Sequence, residues 1–299
     1  MRSINQNSNV PVFYHVPKNA GTFAVSLIFI YLRFFRWHTL HGFKLPGEPN
    51  RNIVIKKNNL EVARIIGYDP NMYCNSADDF VIGDPNDDTY YYIDIEKITN
   101  EHLDSFNVFT IILEADGFLH HTQILSKFQK YNLKKFIILR DPIKRMISFF
   151  NYINSDSAKH EPTYGIIPNN LSEYVNSHFL EDSWLIRQFA NVSDNEGIND
   201  NHYDITYNEL KHFDVADISN TENLIKNIYA NYLNIIVSDE ELARCVPKRE
   251  LPNIKNSLSN DLVSNQSKKD NNDLSEQDLQ VVNERIKYEI KLYNNLVKC

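Results

Sequence analysis

The stretch Val12-Phe-Tyr-His-Val-Pro-Lys-Asn-Ala-Gly-Thr-Phe23 constrains the fold more than any other. It reads as a short buried strand, a turn carrying a lysine and a glycine, and then an apolar helix. In that layout backbone N–H groups and a helix N-terminus point toward one place, where an anion binds. Lys18 adds a mobile positive charge there. A strand–loop–helix of this kind usually holds a phosphate, so a phosphorylated ligand is expected. The pattern is not the nucleotide-triphosphate loop, which places a Gly-Lys pair ahead of a Ser or Thr that holds Mg²⁺. Here Lys18 precedes Gly21, and the turn's hydroxyl, Thr22, has no acidic residue paired to a metal role.

A second segment, Lys134-Lys-Phe-Ile-Ile-Leu-Arg-Asp-Pro-Ile-Lys-Arg-Met-Ile-Ser-Phe-Phe150, repeats the logic. Residues 136–139 form a continuous apolar run, as in a buried parallel strand. Asp141 then fits an N-cap and Pro142 the first helical position. Ile143, Ile147, Phe150 and Ile153 follow at helical spacing and are expected to face the core. Arg140 falls at the strand's carboxyl end, where open α/β sheets bind ligands. Ser148 lies two turns into the helix, roughly 10 Å along its axis. An arginine and a hydroxyl so placed can clamp a second phosphate, the arginine bidentately.

Together these segments resemble the PAPS-dependent sulfotransferases, in particular the branch that includes heparan sulfate 2-O-sulfotransferase and its bacterial relatives. In that family a His/Arg-x-Pro-Lys-x-x-x-Thr loop binds the 5′-phosphosulfate of 3′-phosphoadenosine 5′-phosphosulfate (PAPS). The matching residues are His15-Val-Pro-Lys18-Asn-Ala-Gly-Thr22. An Arg-Asp-Pro motif and a helical serine bind the 3′-phosphate, matched by Arg140-Asp-Pro142 and Ser148. Asn265-Gln-Ser-Lys-Lys269, then Leu274-Ser-Glu and a long helix, is similar to the cofactor-covering loop and last helix. Asp182-Ser-Trp-Leu-Ile-Arg-Gln188 resembles the segment where relatives carry Gln-Thr-Arg. The resemblance implies an α/β, P-loop-like three-layer fold with a central, mainly parallel sheet flanked by helices. It also implies a single sulfotransferase domain over 11–299 behind a flexible tail, 1–10. The implied cofactor contacts are Lys18, Asn19, Ala20, Gly21, Thr22, Phe23, Arg140, Ser148, Ser267, Lys268 and Lys269. The donor would be PAPS, the product 3′,5′-ADP, and no metal is required.

The chain departs from the family at two places. Asn19 and Phe23 stand where heparan-type members often have a threonine and a serine. Relatives commonly place a histidine catalytic base after a glycine, about two dozen residues before Arg-Asp-Pro; here Gly117 is followed by Phe118. The base is therefore open among His120, His121, Asp116 and Glu114. The histidines come first because imidazole titrates near neutrality, and they sit beside a helix expected over 123–130. Glu114 follows the apolar run 108–113, so it too ends a strand. Lys18 is expected to neutralise charge on the leaving oxygen, as positioning and charge stabilisation carry such transfers.

At 299 residues the chain can bury a sizeable core. Cys74, Cys245 and Cys299 form no metal spacing and leave one unpaired, pointing to a reducing compartment. The apolar run 24–31 is too short to span a bilayer and is closed by Arg33. Only residues 1–10 precede the motif, too few for the Golgi anchor of many eukaryotic members, so a cytoplasmic, bacterial-type enzyme is expected. The formal charge of −8 disfavours a long polyanionic partner, nucleic acid included. Arg33, Arg36, Trp37 and His38 form a basic, aromatic cluster suited to a carboxylate-bearing sugar, and Trp184 and Arg187 are further acceptor candidates. The acidic stretch around Asp84 lacks EF-hand spacing and reads as a solvated loop. Polar loops are expected over 155–170, 191–202 and 252–273, the last ordering over the cofactor. Ser275 and Asp278 form a capping-box start to a last helix, whose apolar face is Leu279, Val282, Ile286, Ile290, Tyr293 and Val297. Two other readings are a nucleotide-dependent kinase with a degenerate loop and a non-catalytic nucleotide- or glycan-binding relative.

Overall fold

The structure is a computed structural model and describes residues 8–19, 21, 24–25, 27–28, 31–32, 50–68, 90–99, 103, 106, 108–155, 167–178, 180, 182–193, 195–238 and 274–298. It is an α/β fold of the three-layer, P-loop-like kind, with a seven-stranded, mainly parallel sheet. The strands are β1 (Asn9–Tyr14), β2 (Asn50–Lys57), β3 (Leu60–Tyr68), β4 (Tyr90–Asp94), β5 (Val108–Leu113), β6 (Asn132–Leu139) and β7 (Asp214–Asp217). Their order is β4-β2-β3-β5-β1-β6-β7. The chain divides into two compact units, one of residues 1–17, 24–137 and 219–247, the other of 18–23, 138–218 and 248–299.

In the first unit β1 runs parallel to both β5 and β6, with Tyr14 level with Leu113 and Ile137. A central parallel strand is covered on both faces, so it reads as a continuous apolar run instead of an alternating one. Every residue of β5 is buried. Its one polar member, Thr110, is satisfied by the Tyr229 hydroxyl at 2.6 Å. Tyr229 belongs to the helix Thr221–Leu233, which packs on β1. β3 is antiparallel to β2 and to β5. The β2–β3 turn is made by Asn58 and Asn59, at φ 51° and 66°. Two left-handed residues define a type I′ hairpin turn, and asparagine tolerates that region well. Helical residues at 21, 24, 25, 27, 28, 31 and 32 follow the first loop.

A 3₁₀ turn, Ala115–His120, leads into α1 (His121–Ser126). The helix expected over 123–130 thus starts earlier and closes at Ser126. Beyond it Lys127 and Phe128 donate three residues back, to Ile124 and Leu125, which tightens the chain into a turn.

The second unit is helical: α2 (Pro142–Ile153), α3 (Leu171–Val175), α4 (Trp184–Ala190), α5 (Asp200–Leu210), α7 (Glu276–Arg285) and α8 (Lys287–Val297), the first unit's Thr221–Leu233 being α6. α2 starts as its sequence dictates, with Pro142 in the first turn and Asp141 Oδ1 accepting from Ile143 and Lys144 N–H at 3.1 Å each. Met146, Ile147, Phe150 and Ile153 bury its apolar face against α3 and α7, with Ile143 partly buried beside them. The Ser275–Asp278 capping box forms. Asp278 Oδ1 also accepts from Ser172 Oγ at 2.9 Å, joining α7 to α3. The single last helix expected from the apolar stripe is two helices, because Ile286 leaves helical geometry at φ −106°, ψ 18°. Next to that break, Arg285 donates to the carbonyls of Val175, Ser177 and Leu180. α5 begins at Asp200, inside the stretch expected as a polar loop, on an Asn199 side-chain cap. Among the described residues no helix is long and apolar enough to cross a membrane.

Candidate functional site

The second unit holds the lysine and arginine of the two motifs together. Lys18 sits in the turn after β1 with φ 63°, a left-handed conformation that costs a non-glycine residue about 1–2 kcal/mol. Such strain persists where surrounding structure imposes it, and it clusters at ligand sites. Lys18 Nζ lies 3.1 Å from the centroid of the Tyr152 ring. Arg140 Nη1 donates to the Lys18 carbonyl at 3.4 Å. Next to Lys18, Asn19 is 3 % exposed and its Nδ2 donates to the Ile138 carbonyl at 3.0 Å. Its Oδ1 is buried and has no partner among the described residues. Asn19 therefore ties the loop to the carboxyl end of β6, and its side-chain amide is committed to backbone. Ser148, on α2, is 5 % exposed. Gly21 is buried in the helical stretch after the loop.

The first unit gathers a charged chain at the end of β5. Glu114 Oε2 is 2.7 Å from His15 Nδ1, and Glu114 Oε1 is 3.2 Å from Arg64 Nε. Arg64 Nε also donates to Glu61. Burial raises the Glu114 pKa, but the His15 hydrogen bond and the charges of His15 and Arg64 outweigh it. The net shift is downward, so Glu114 stays ionised at neutral pH. In the sequence His15 stands out only as the first residue of the lysine motif. The signal that could have found it is a histidine and a glutamate each directly following an apolar strand.

The other candidate bases lie in the Ala115–His120 turn and at the start of α1. His121 Nδ1 is bonded to the Phe118 carbonyl at 2.7 Å, and its Nε2 is 3.2 Å from Thr122 Oγ1. His120 Nδ1 stands 3.5 Å from Lys57 Nζ. Burial, then the Lys57 ammonium, pushes the His120 pKa below its ordinary value. Asp116 occupies the turn itself. Phe118, at the position where relatives carry a histidine, is fully buried and packs edge-on against Tyr14 at 5.4 Å.

Gly117 explains why that turn sits where it does. A Cβ there would fall 1.9 Å from the Val62 carbonyl oxygen on β3, a backbone atom that also accepts from Glu114 N–H at 3.2 Å. Gly117→Ala is therefore expected to push the turn off β3. Overpacking of this kind costs about 1–3 kcal/mol or more, and the measurement is a thermal midpoint lowered by several degrees. An unchanged midpoint would show that the turn is not locked to β3.

Of the acceptor candidates, Arg187 is almost fully buried. It is bonded to the Asp182 carboxylate and carbonyl, at 2.7–3.2 Å, and to the Ser193 carbonyl. Trp184 opens α4, with the Arg145 guanidinium 6.0 Å from its ring. Arg145 pairs with the buried Glu289 at 2.6 Å, and Glu289 also accepts from Leu185 N–H at 2.7 Å. Ala20, Thr22, Phe23, Arg33, Arg36, Trp37, His38, Ser267, Lys268, Lys269, the three cysteines and the acidic stretch lie outside the described residues. Among the described residues no group of three or more His, Cys, Asp or Glu is placed to hold a metal ion.

A family model described as the sulfotransferase family matches residues 4–294. No curated protein and no solved structure matches the chain. The matched span takes in both motif loops, the β5 end, α7 and most of α8: the chain belongs to the sulfotransferase family, enzymes that transfer a sulfuryl group.

Proposed function

We propose that this protein is a PAPS-dependent O-sulfotransferase, moving a sulfuryl group from 3′-phosphoadenosine 5′-phosphosulfate to a hydroxyl of a carbohydrate acceptor. The observation that carries this reading is the approach of two motif cations within one unit, with Arg140 Nη1 on the Lys18 carbonyl at 3.4 Å. A nucleotide phosphorylated at both the 3′ and 5′ positions needs positive charge at two points. A lysine on a strained loop and an arginine at the end of a parallel strand supply both, and they fit that ligand chemically. The donor supplies the sulfuryl group and a phosphate leaving group.

Lys18 is the residue to neutralise charge as the leaving phosphate departs, and the backbone amides of residues 20–23 are the groups to hold the 5′-phosphate. Arg140, with Ser148, is the grip on the 3′-phosphate. Asn19 acts indirectly, because its side chain braces the loop against Ile138. Asp141 occupies the N–H groups at the start of α2, so that helix terminus is capped by its own carboxylate. Residues 267–269 are the proposed cover over the donor. The carbohydrate acceptor rests on the resemblance of the two motifs to the glycan-modifying branch.

The test is incubation with PAPS and a panel of neutral and uronate-containing oligosaccharides, read by mass spectrometry. The expected result is 3′,5′-ADP and a singly sulfated oligosaccharide in equal amounts. Transfer to phenols or amines but to no oligosaccharide would overturn the carbohydrate assignment. Absence of 3′,5′-ADP release together with Mg²⁺-dependent turnover of ATP would overturn the donor.

A further inference from the structure

We propose that His15 is the base of the transfer, its Nε2 taking the proton of the acceptor hydroxyl, and that Glu114 is the residue that positions it. This rests on the sulfuryl-transfer reading above and assigns the proton to a residue that the family comparison does not single out.

β1 and β5 are neighbouring parallel strands with Tyr14 level with Leu113, so the next residue of each leaves the sheet at the same level. Those residues are His15 and Glu114. The His15 N–H donates to the Leu113 carbonyl at 2.9 Å, which fixes the backbone of His15 to β5. The imidazole is then held on two sides. Glu114 Oε2 sits 2.7 Å from Nδ1, and the Phe13 ring lies stacked at 5.8 Å with an interplanar angle of 19°.

That contact assigns the tautomer. An ionised carboxylate only accepts, so the hydrogen between the two groups belongs to Nδ1 and the lone pair to Nε2. Among the described residues nothing is bonded to Nε2. The side chain is 26 % exposed against 17 % for Glu114, so the imidazole is the member of the pair that a substrate reaches. Among the described residues the charged groups linked to it include Glu114, then Arg64 on the far carboxylate oxygen, then Glu61 on Arg64. The His15 hydrogen bond, and after it the Arg64 charge, hold Glu114 ionised against the cost of its burial, and the ionised Glu114 stabilises the imidazolium as it forms. A carboxylate held ionised by the His15 hydrogen bond and the Arg64 charge is itself a poor base, whereas the imidazole it orients presents the Nε2 lone pair to the substrate side. The remaining histidines lack this arrangement: both ring nitrogens of His121 have partners, and His120 faces an ammonium.

The acceptor oxygen forms the new O–S bond as its proton passes to His15 Nε2. The old S–O bond to the 5′-phosphate breaks, and its electron pair stays on that phosphate. The imidazolium, paired with Glu114, returns the proton to solvent. In the chain His15 lies three residues before Lys18.

The test uses the full chain and reads 3′,5′-ADP released from PAPS with water as acceptor, from pH 5.5 to 8.5, beside calorimetric affinity for 3′,5′-ADP. His15→Asn keeps an amide at the Nδ1 position, and with it the bond to Glu114, but removes the base. It is expected to lower turnover about 10²–10⁴-fold, to abolish the acid limb of the rate profile and to leave 3′,5′-ADP affinity within about twofold. Glu114→Gln is expected to lower turnover less and to move the acid limb to lower pH, because the imidazolium loses its counter-charge. Either of two results overturns the proposal: His15→Asn retaining the wild-type rate and profile, or losing 3′,5′-ADP affinity in step with turnover, which would make it a donor-loop support. Should His15→Asn fail to fold, an acid limb unmoved in Glu114→Gln overturns it equally. Wild-type protein that neither binds 3′,5′-ADP nor releases it from PAPS would instead overturn the donor reading, and the inference with it.

Discussion

Lys18→Ala is expected to abolish sulfuryl transfer while leaving the fold standing. Removing one charge-stabilising donor from a transfer site typically lowers the rate 10²–10³-fold, and a full positive charge at the leaving group is worth at least that. The stability ledger at this position nearly cancels. The left-handed backbone at φ 63° strains lysine and alanine alike, so that cost is common to both. The variant loses the ammonium on the Tyr152 ring, a contact worth about 0.5–1 kcal/mol at a partly exposed site. Lys18→Gly separates the two effects. It loses the same ring contact but relieves roughly 1 kcal/mol of backbone strain, so it is expected to melt at or slightly above Lys18→Ala while being equally inactive. Circular dichroism melts and the PAPS assay read both quantities. Substantial turnover in either variant would remove Lys18 from the reaction.

What could be read in the sequence was whatever is local. Strand β1 and the end of β6 announced themselves as short apolar runs, because a strand covered on both faces has no polar side to alternate. Asp141-Pro142 and Ser275 with Asp278 marked helix starts, because capping chemistry spans only three residues. Pairings across the sheet were hidden. His15 and Glu114 are 99 residues apart, and only the β1–β5 register sets them side by side. Arg187 misled for the opposite reason. A cation near a tryptophan suggests an acceptor surface, yet its partner Asp182 lies five residues away and holds the buried guanidinium in a partly buried ion pair. The break at Ile286 was invisible because an apolar stripe continues through a bend as readily as through a straight helix.

Arg140→Ala is expected to abolish the preference for a 3′-phosphate. Wild-type protein should bind 3′,5′-ADP about 100-fold more tightly than 5′-AMP, because hydrogen bonds to a charged group are worth about 1.5–3 kcal/mol and each 1.4 kcal/mol is tenfold in affinity. The variant should bind both nucleotides with similar affinity, set by the 5′-phosphate loop. A rival explanation has a different signature. Arg140 also donates to the Lys18 carbonyl at 3.4 Å, so its removal could loosen the loop that meets the 5′-phosphate. That effect lowers affinity for both nucleotides by the same factor and preserves their ratio. Arg140→Lys sharpens the distinction, since it keeps a charge for the 3′-phosphate but not the forked donor set. It should recover part of the discrimination. Calorimetry on the three proteins with the two nucleotides therefore assigns Arg140: a ratio that collapses in the alanine variant places it on the 3′-phosphate, and a ratio that survives makes it a support for Lys18.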